Sequence, residues 1–218
     1  MMSWSDIIRH PATDAMARFI RNRQLADGSW RLIAHRPPIE SSDIMVTALS
    51  MRSLQLYAPA PLRVQYDAAV SAGVRWLAAQ TPVTTEARAG QVLGLAWAGG
   101  TRDRIRAASS ALVAEQRADG GWAQLPTLAS DAYATGQALV ALHDGGGMAT
   151  SDPAYQRGVA FLLRNQYADG TWHVPSRALA IQPLFDIGFP HGGRDSWISG
   201  AATNWAAIAL ALASPPRP

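Results

Sequence analysis

The chain has 218 residues, 48% of them hydrophobic, a formal net charge of +3 and no Cys. That is enough apolar chain to bury a core in one domain, and the missing Cys excludes disulfides, thiolate nucleophiles and Cys-ligated zinc. All 19 basic residues are Arg, scattered without a dense basic stripe, which gives no support to nucleic-acid binding.

Residues 1–12 lack the apolar run of a signal peptide and read as a short N-terminal segment or the remnant of a helix. An amphipathic helix is expected over 13–24, ending in the phrase QLADGSW that closes at Trp30. A second helix, DIMVTALSMRSL, starts at Asp43 and is apolar or small on most faces. Over 66–80, Ala69, Val70, Gly73, Val74 and Leu77 share one face of another amphipathic helix. QTPVTTE follows it in place of the phrase, and EARAGQVLGLAW begins an enclosed helix at Glu86. The pattern returns with an amphipathic helix over 103–116, QRADGGW closing at Trp122 and an apolar helix from Asp131. Ser151-Asp152-Pro153 caps the next amphipathic helix, 153–166, which runs into QYADGTW closing at Trp172. A long loop then carries His173, Arg177, Gln182, Phe185, Phe189, His191, Asp195 and Trp197. The last apolar helix starts at Ser199, and its most hydrophobic part, 205–213, is far too short to span a bilayer.

A phrase that recurs at a regular place in a helical pattern marks a repeated unit. Four amphipathic helices alternate with four apolar ones, so the chain reads as four helical hairpins, with an outer layer around an enclosed inner one. Aligning the inner helices on Thr47, Gly90, Thr135 and Thr203 puts Asp43, Glu86, Asp131 and Ser199 in one register. Within the phrase, Gly suits the left-handed exit of a helix and Asp can bond nearby backbone donors. Gln24, Gln116 and Gln166 can cap backbone groups of an adjacent helix, and Trp30, Trp122 and Trp172 can pack on the junction.

QxxDGxW resembles the repeat motif of squalene-hopene and other triterpene cyclases, within the wider group of α/α toroids that includes protein prenyltransferase β subunits. SDAYATGQALVALH and FPHGGRDSWISGAATNWAAIAL are also similar to bacterial squalene-cyclase-like proteins without a settled activity. The resemblance covers the chain from about Thr13. It implies an all-α fold, an α/α toroid or a short partial one of about four hairpins, forming a single domain over 13–218 that is either complete or part of a longer protein. It also implies a central apolar cavity for an isoprenoid or lipid-like ligand, ringed by the inner-helix starts at Asp43, Glu86, Asp131 and Ser199. The same residues suit helix N-termini, where a hydroxyl or carboxylate caps free amides, so capping and chemistry compete at each.

Cyclases of this type start their reaction with an acidic DxDD motif at an inner-helix start, and the matching stretch here is Asp131-Ala132-Tyr133-Ala134-Thr135. Tyr133 stands at the proton-donating position, and a phenol with a reference pKa of about 10 cannot protonate an alkene. Standard protonation chemistry is therefore expected to be absent; if catalysis exists, Asp131 or Asp195 would be the acid, with Tyr133 beside it, and the enzyme a terpene cyclase-like isomerase or lyase. Tyr133, Trp97, Phe185, Phe189, Trp197 and Trp205 could line the cavity and stabilise cationic character, with Gln182 and His191 of the long loop as further ligand-binding residues, although aromatics on inner helices also serve as plain core. His35, His173, His191, Asp131 and Asp195 have no recognised metal spacing, so neither a metal nor a cofactor is expected. Two functions follow: a cyclase-like domain accommodating an apolar isoprenoid-like molecule, or a non-catalytic lipid-binding or protein-interaction scaffold. Four hairpins are few for a closed toroid, so self-association or a neighbouring segment should cover the exposed edge. With no leader or span evident, a cytoplasmic location is expected.

Overall fold

The computed structural model describes residues 11–34, 36–179, 186–191 and 193–214. Within them lie eight α-helices and no strand: α1 (Pro11–Asn22), α2 (Asp43–Tyr57), α3 (Arg63–Ala79), α4 (Thr85–Trp97), α5 (Arg102–Val113), α6 (Ala132–Val140), α7 (Pro153–Arg164) and α8 (Ser196–Ala213). The protein is all-α. Among the described residues, no helix is long and apolar enough to cross a membrane.

Local chemistry sets the helix starts. Ser42, Thr84 and Asp131 each accept a backbone N–H three residues on, at Met45, Ala87 and Ala134, satisfying amides that a first helical turn leaves unpaired. Asp152 caps α7 ahead of Pro153, which has no N–H to lose there. A π-helical turn, Ala141–Gly145, continues α6.

The even-numbered helices form a row in which α2 packs on α4, α4 on α6 and α6 on α8, and the odd-numbered helices each pack on members of that row. Small residues bring the row's members close: a Cβ on Gly90 would lie 2.9 Å from the Met45 Cα, and one on Gly136 2.6 Å from the Trp205 backbone. Two hydrophobic clusters meet in α4, whose Val92 and Leu93 join the C-terminal one and whose Leu95 joins the N-terminal one.

The three phrases form one structure three times. Gly28, Gly120 and Gly170 have φ of 93°, 88° and 85°, where a side chain would be strained, and let the chain leave the outer helix. Asp27, Asp119 and Asp169 each accept the N–H two residues on, at 2.9, 2.9 and 3.0 Å. The indoles of Trp30, Trp122 and Trp172 are buried and donate to carbonyls ten residues upstream, at Ile20, Leu112 and Leu162. Their backbone N–H groups donate to Thr47, Thr135 and Thr203, at 3.0, 3.0 and 3.2 Å. Those threonines are the residues on which the inner helices align.

Several boundaries differ from the sequence reading: α1 runs from Pro11 to Asn22 rather than over 13–24, α5 ends at Val113 rather than at 116, and α7 ends at Arg164 rather than at 166. Helix α8 begins at Ser196, three residues before the expected Ser199, so Trp197 lies in its first turn and Asp195 immediately before it. Helix α3 begins at Arg63, because the 3-10 turn Ala60–Leu62 leads directly into it.

Candidate functional site

At the N-terminal ends of α4 and α6, five elements bring polar side chains into a largely buried cluster. Helix α4 supplies Glu86 in its first turn, and α6 supplies Tyr133 and Gln137, four residues apart and therefore on one face. Asp131 caps α6, Gln124 follows Trp122 by two residues, Ser41 precedes α2, and Arg177 comes from the loop after the third phrase. Glu86, Tyr133, Gln124 and Gln137 are all buried, with Gln137 only 2% exposed.

Burial pushes the Glu86 carboxyl up to about 8, against the opposing influence of the Ser41 hydroxyl, the Arg177 charge and the Tyr133 hydroxyl. Ser41 Oγ donates to Glu86 Oε2 at 3.2 Å. Asp131 is pushed to about 6, again by burial, although the Ala134 amide and the Gln124 side chain favour its anion. The Tyr133 phenol is raised by burial and then by the neighbouring Glu86 charge. Arg177 is anchored by its Nε, which donates to Gln124 Oε1 at 2.7 Å. Burial lowers the Arg177 pKa, while Glu86, Asp131 and Tyr133 oppose that effect. The Gln137 side chain also hydrogen-bonds Tyr133, while its Oε1 is buried with no hydrogen-bond partner among the described residues, and an unmet acceptor in such a place costs about 1–3 kcal/mol.

At neutral pH the cluster thus holds a neutral carboxylic acid, a mostly ionised carboxylate, a phenol, two amides and a guanidinium. These groups can donate and accept hydrogen bonds and attract an anion. They are poorly suited to protonating a carbon: a carboxyl whose pKa is raised is a weaker acid, the reverse of what alkene protonation requires. A groove of about 410 Å³ opens beside the cluster at Asp131, bordered by Phe161, Arg164, Tyr167, Trp172 and His173.

Of the residues singled out in sequence, Glu86, Asp131 and Tyr133 come together. Asp43 does not join them; its Oδ1 accepts the Leu32 amide at 3.1 Å, as Ser199 Oγ accepts that of Val174, so both clamp the chain two residues past a phrase Trp. Asp195 belongs to a second cluster: it accepts from the Ser176 amide and pairs with His173, both at 2.8 Å. Burial pulls the Asp195 pKa upward, but these two partners and the Arg194 charge hold it below the ordinary carboxylate value. His191 joins that cluster, with Nε2 3.0 Å from Thr171 Oγ1 and its ring 4.2 Å from Tyr167 and 5.7 Å from His173. Trp97 lies at the far end of α4, roughly 16 Å along the helix from Glu86, beneath Arg52. Trp205 packs against α6 at Gly136, Phe189 lies over Gly200, and Trp197 is 55% exposed. Gln182, Phe185 and His35 lie outside the described residues.

Among the described residues, no three His, Cys, Asp or Glu side chains are grouped so as to hold a metal ion. Gln124, Gln137 and Ser41 were not singled out in sequence. The first two carried a usable signal, being two residues past a phrase Trp and one helical turn past Tyr133; Ser41 joins only through the path of the chain into α2. No protein-family model matches the chain, and no curated protein matches it.

Proposed function

We propose that this is a squalene/terpene cyclase-like domain, a partial α/α toroid, that holds an isoprenoid or lipid-like molecule without proton-initiated cyclisation. The observation that carries the reading is the cluster at the inner-helix starts, where Glu86 is a weakened acid and Arg177 is a cation. Standard cyclisation needs a strong acid at that place and then a developing carbocation, which a guanidinium would repel. The same groups suit the polar end of an amphipathic ligand: Arg177 for negative charge, protonated Glu86 and Tyr133 as donors, and Gln137 Oε1 as an acceptor awaiting a donor. The three Trp-ended phrases serve the frame and take no part in the chemistry.

Native mass spectrometry of the purified chain, offered squalene and geranylgeranyl diphosphate in turn, tests this. A one-to-one complex is expected, weakened severalfold or more in Arg177→Ala and Glu86→Ala variants, with both probes recovered unchanged. A cyclised product that disappears in Asp131→Asn or Asp195→Asn would replace this reading with an active cyclase. Failure to retain either probe would leave the scaffold reading in its place.

A further inference from the structure

At both internal junctions that carry the phrase, the next outer helix docks in the same way. The side-chain amide of Gln24 donates to the Ala69 carbonyl of α3, and that of Gln116 to the Ala154 carbonyl of α7, each at 2.8 Å. The phrase glycine lets these helices approach: a Cβ on Gly28 would lie 2.6 Å from the Ala72 carbonyl oxygen, and one on Gly120 2.5 Å from that of Arg157. One residue further along, a large inner residue seats on an outer glycine. A Cβ on Gly73 would lie 2.5 Å from the Met51 Sδ, and one on Gly158 2.8 Å from a Leu139 methyl. Met51 and Leu139 are equivalent, each four residues after the threonine that holds a phrase Trp.

The third phrase has the same internal structure, held by α7 and α8, but among the described residues no further outer helix docks on it. Among the described residues, Gln166 Nε2 donates only to the Gly170 carbonyl, at 2.9 Å, and a Cβ on Gly170 would meet nothing nearer than that nitrogen, at 3.9 Å. The inner position equivalent to Met51 and Leu139 is Ala207 on α8, four residues after Thr203, and it is exposed. The outer position equivalent to Gly73 and Gly158 falls on α1 at Met16, four before Ile20 as Gly158 is four before Leu162. Met16 is 66% exposed. The size order is reversed: the inner helix presents the small residue and the outer helix the large one, both to solvent.

We infer that α1 of a second copy of this chain docks on the exposed face of α8 and the third phrase, head to tail, with Met16 seated on Ala207. Ala15, exposed on α1, then takes the place of Ala72 and Arg157 against the phrase glycine. Large-into-small complementarity at two internal junctions, matched in reverse by the two unfilled surfaces, identifies the occupant as this chain's own first helix. The junction is heterologous, joining different surfaces of the two copies, so it can close into a ring or extend. It does not depend on the ligand reading.

Sedimentation velocity of the full chain over a range of concentrations tests the inference. The parent chain should associate, and Met16→Glu and Ala207→Glu, each with an unchanged circular dichroism spectrum, should raise the dissociation constant by at least about tenfold. An equimolar mixture of the two variants should recover a dimer, because one damaged surface of each leaves one intact junction. Ala207→Leu should also weaken association, and adding Met16→Ala should restore it. A monomeric parent chain, association indifferent to both single variants, or a mixture that stays monomeric would overturn the inference.

Discussion

Glu86 loses its hydration between Ser41, Tyr133 and the start of α4, and burial pushes its pKa up to about 8 from an ordinary 4.5. Between those values the folded chain keeps a proton that the unfolded chain has released, so stability falls as pH rises through this window and levels off above it. Asp131, raised by burial to about 6 from 3.8, adds a loss of the same sign over its lower window. Asp195 acts oppositely: the stability from its His173 and Ser176 partners is present above pH 4 and lost as the carboxyl protonates below its ordinary value. Thermal melts should therefore peak in mildly acidic buffer and decline toward pH 8, with Glu86 contributing on the order of a few kcal/mol. Glu86→Gln keeps the shape and removes the titration, so the variant should gain on the parent steadily from pH 5 to 8 and exceed it at pH 9. Parallel profiles for the two proteins would mean that Glu86 is not held protonated.

The second hairpin shows what an element needs when its phrase is gone. It has neither the Trp nor the threonine that would hold it, and Gly90 at the threonine position brings α4 close to Met45 instead. The carbonyl of Leu77, equivalent to those of Ile20, Leu112 and Leu162, still receives a side-chain donor. Gln91 Nε2 reaches it from the inner helix at 2.7 Å and the Gln80 carbonyl at 3.1 Å. Gln91→Leu should therefore cost about 1–2 kcal/mol in urea unfolding, as the Leu77 and Gln80 carbonyls at the end of α3 lose the side-chain donor that reaches them from the inner helix. A neutral effect would show that water replaces Gln91 at no cost. The contrast explains what was legible in the sequence. Period and register were readable because Trp, Gly and threonine recur at fixed spacing and act through local geometry. Asp131 and Tyr133 could be placed by that register alone. Gln91 and Arg177 could not, because each acts across a junction between elements, where the pairing depends on the path of a loop. The early start of α8 escaped for a related reason: Asp195, set just before the helix, is held by Ser176 and His173 from another segment, and the aligned residue Ser199 marks a register without marking a helix end.

Across the whole molecule, cohesion is unequal along the row of hairpins. Helix α4 has neighbours on both sides and contributes to both hydrophobic clusters, while every residue of α6 is buried. Helix α1 buries only Ala17 and leaves Met16 and Phe19 about two-thirds exposed. In a chain of stacked units, each held chiefly by its neighbours, an end unit with one neighbour opens at lower free energy than a central unit with two. Amide hydrogen exchange should therefore find α4 and α6 slowest, at rates set by global unfolding, and α1 fastest among the helices. Protection of α1 should also rise with protein concentration, since a helix covered by a second copy opens only after that copy leaves, while α4 and α6 gain less in proportion. Uniform protection across the eight helices would mean that the clusters unfold as one unit, with α1 fixed by contacts other than those it makes on α2. Protection of α1 that ignores concentration would separate the two ideas, leaving the gradient of local stability intact and removing its link to self-association.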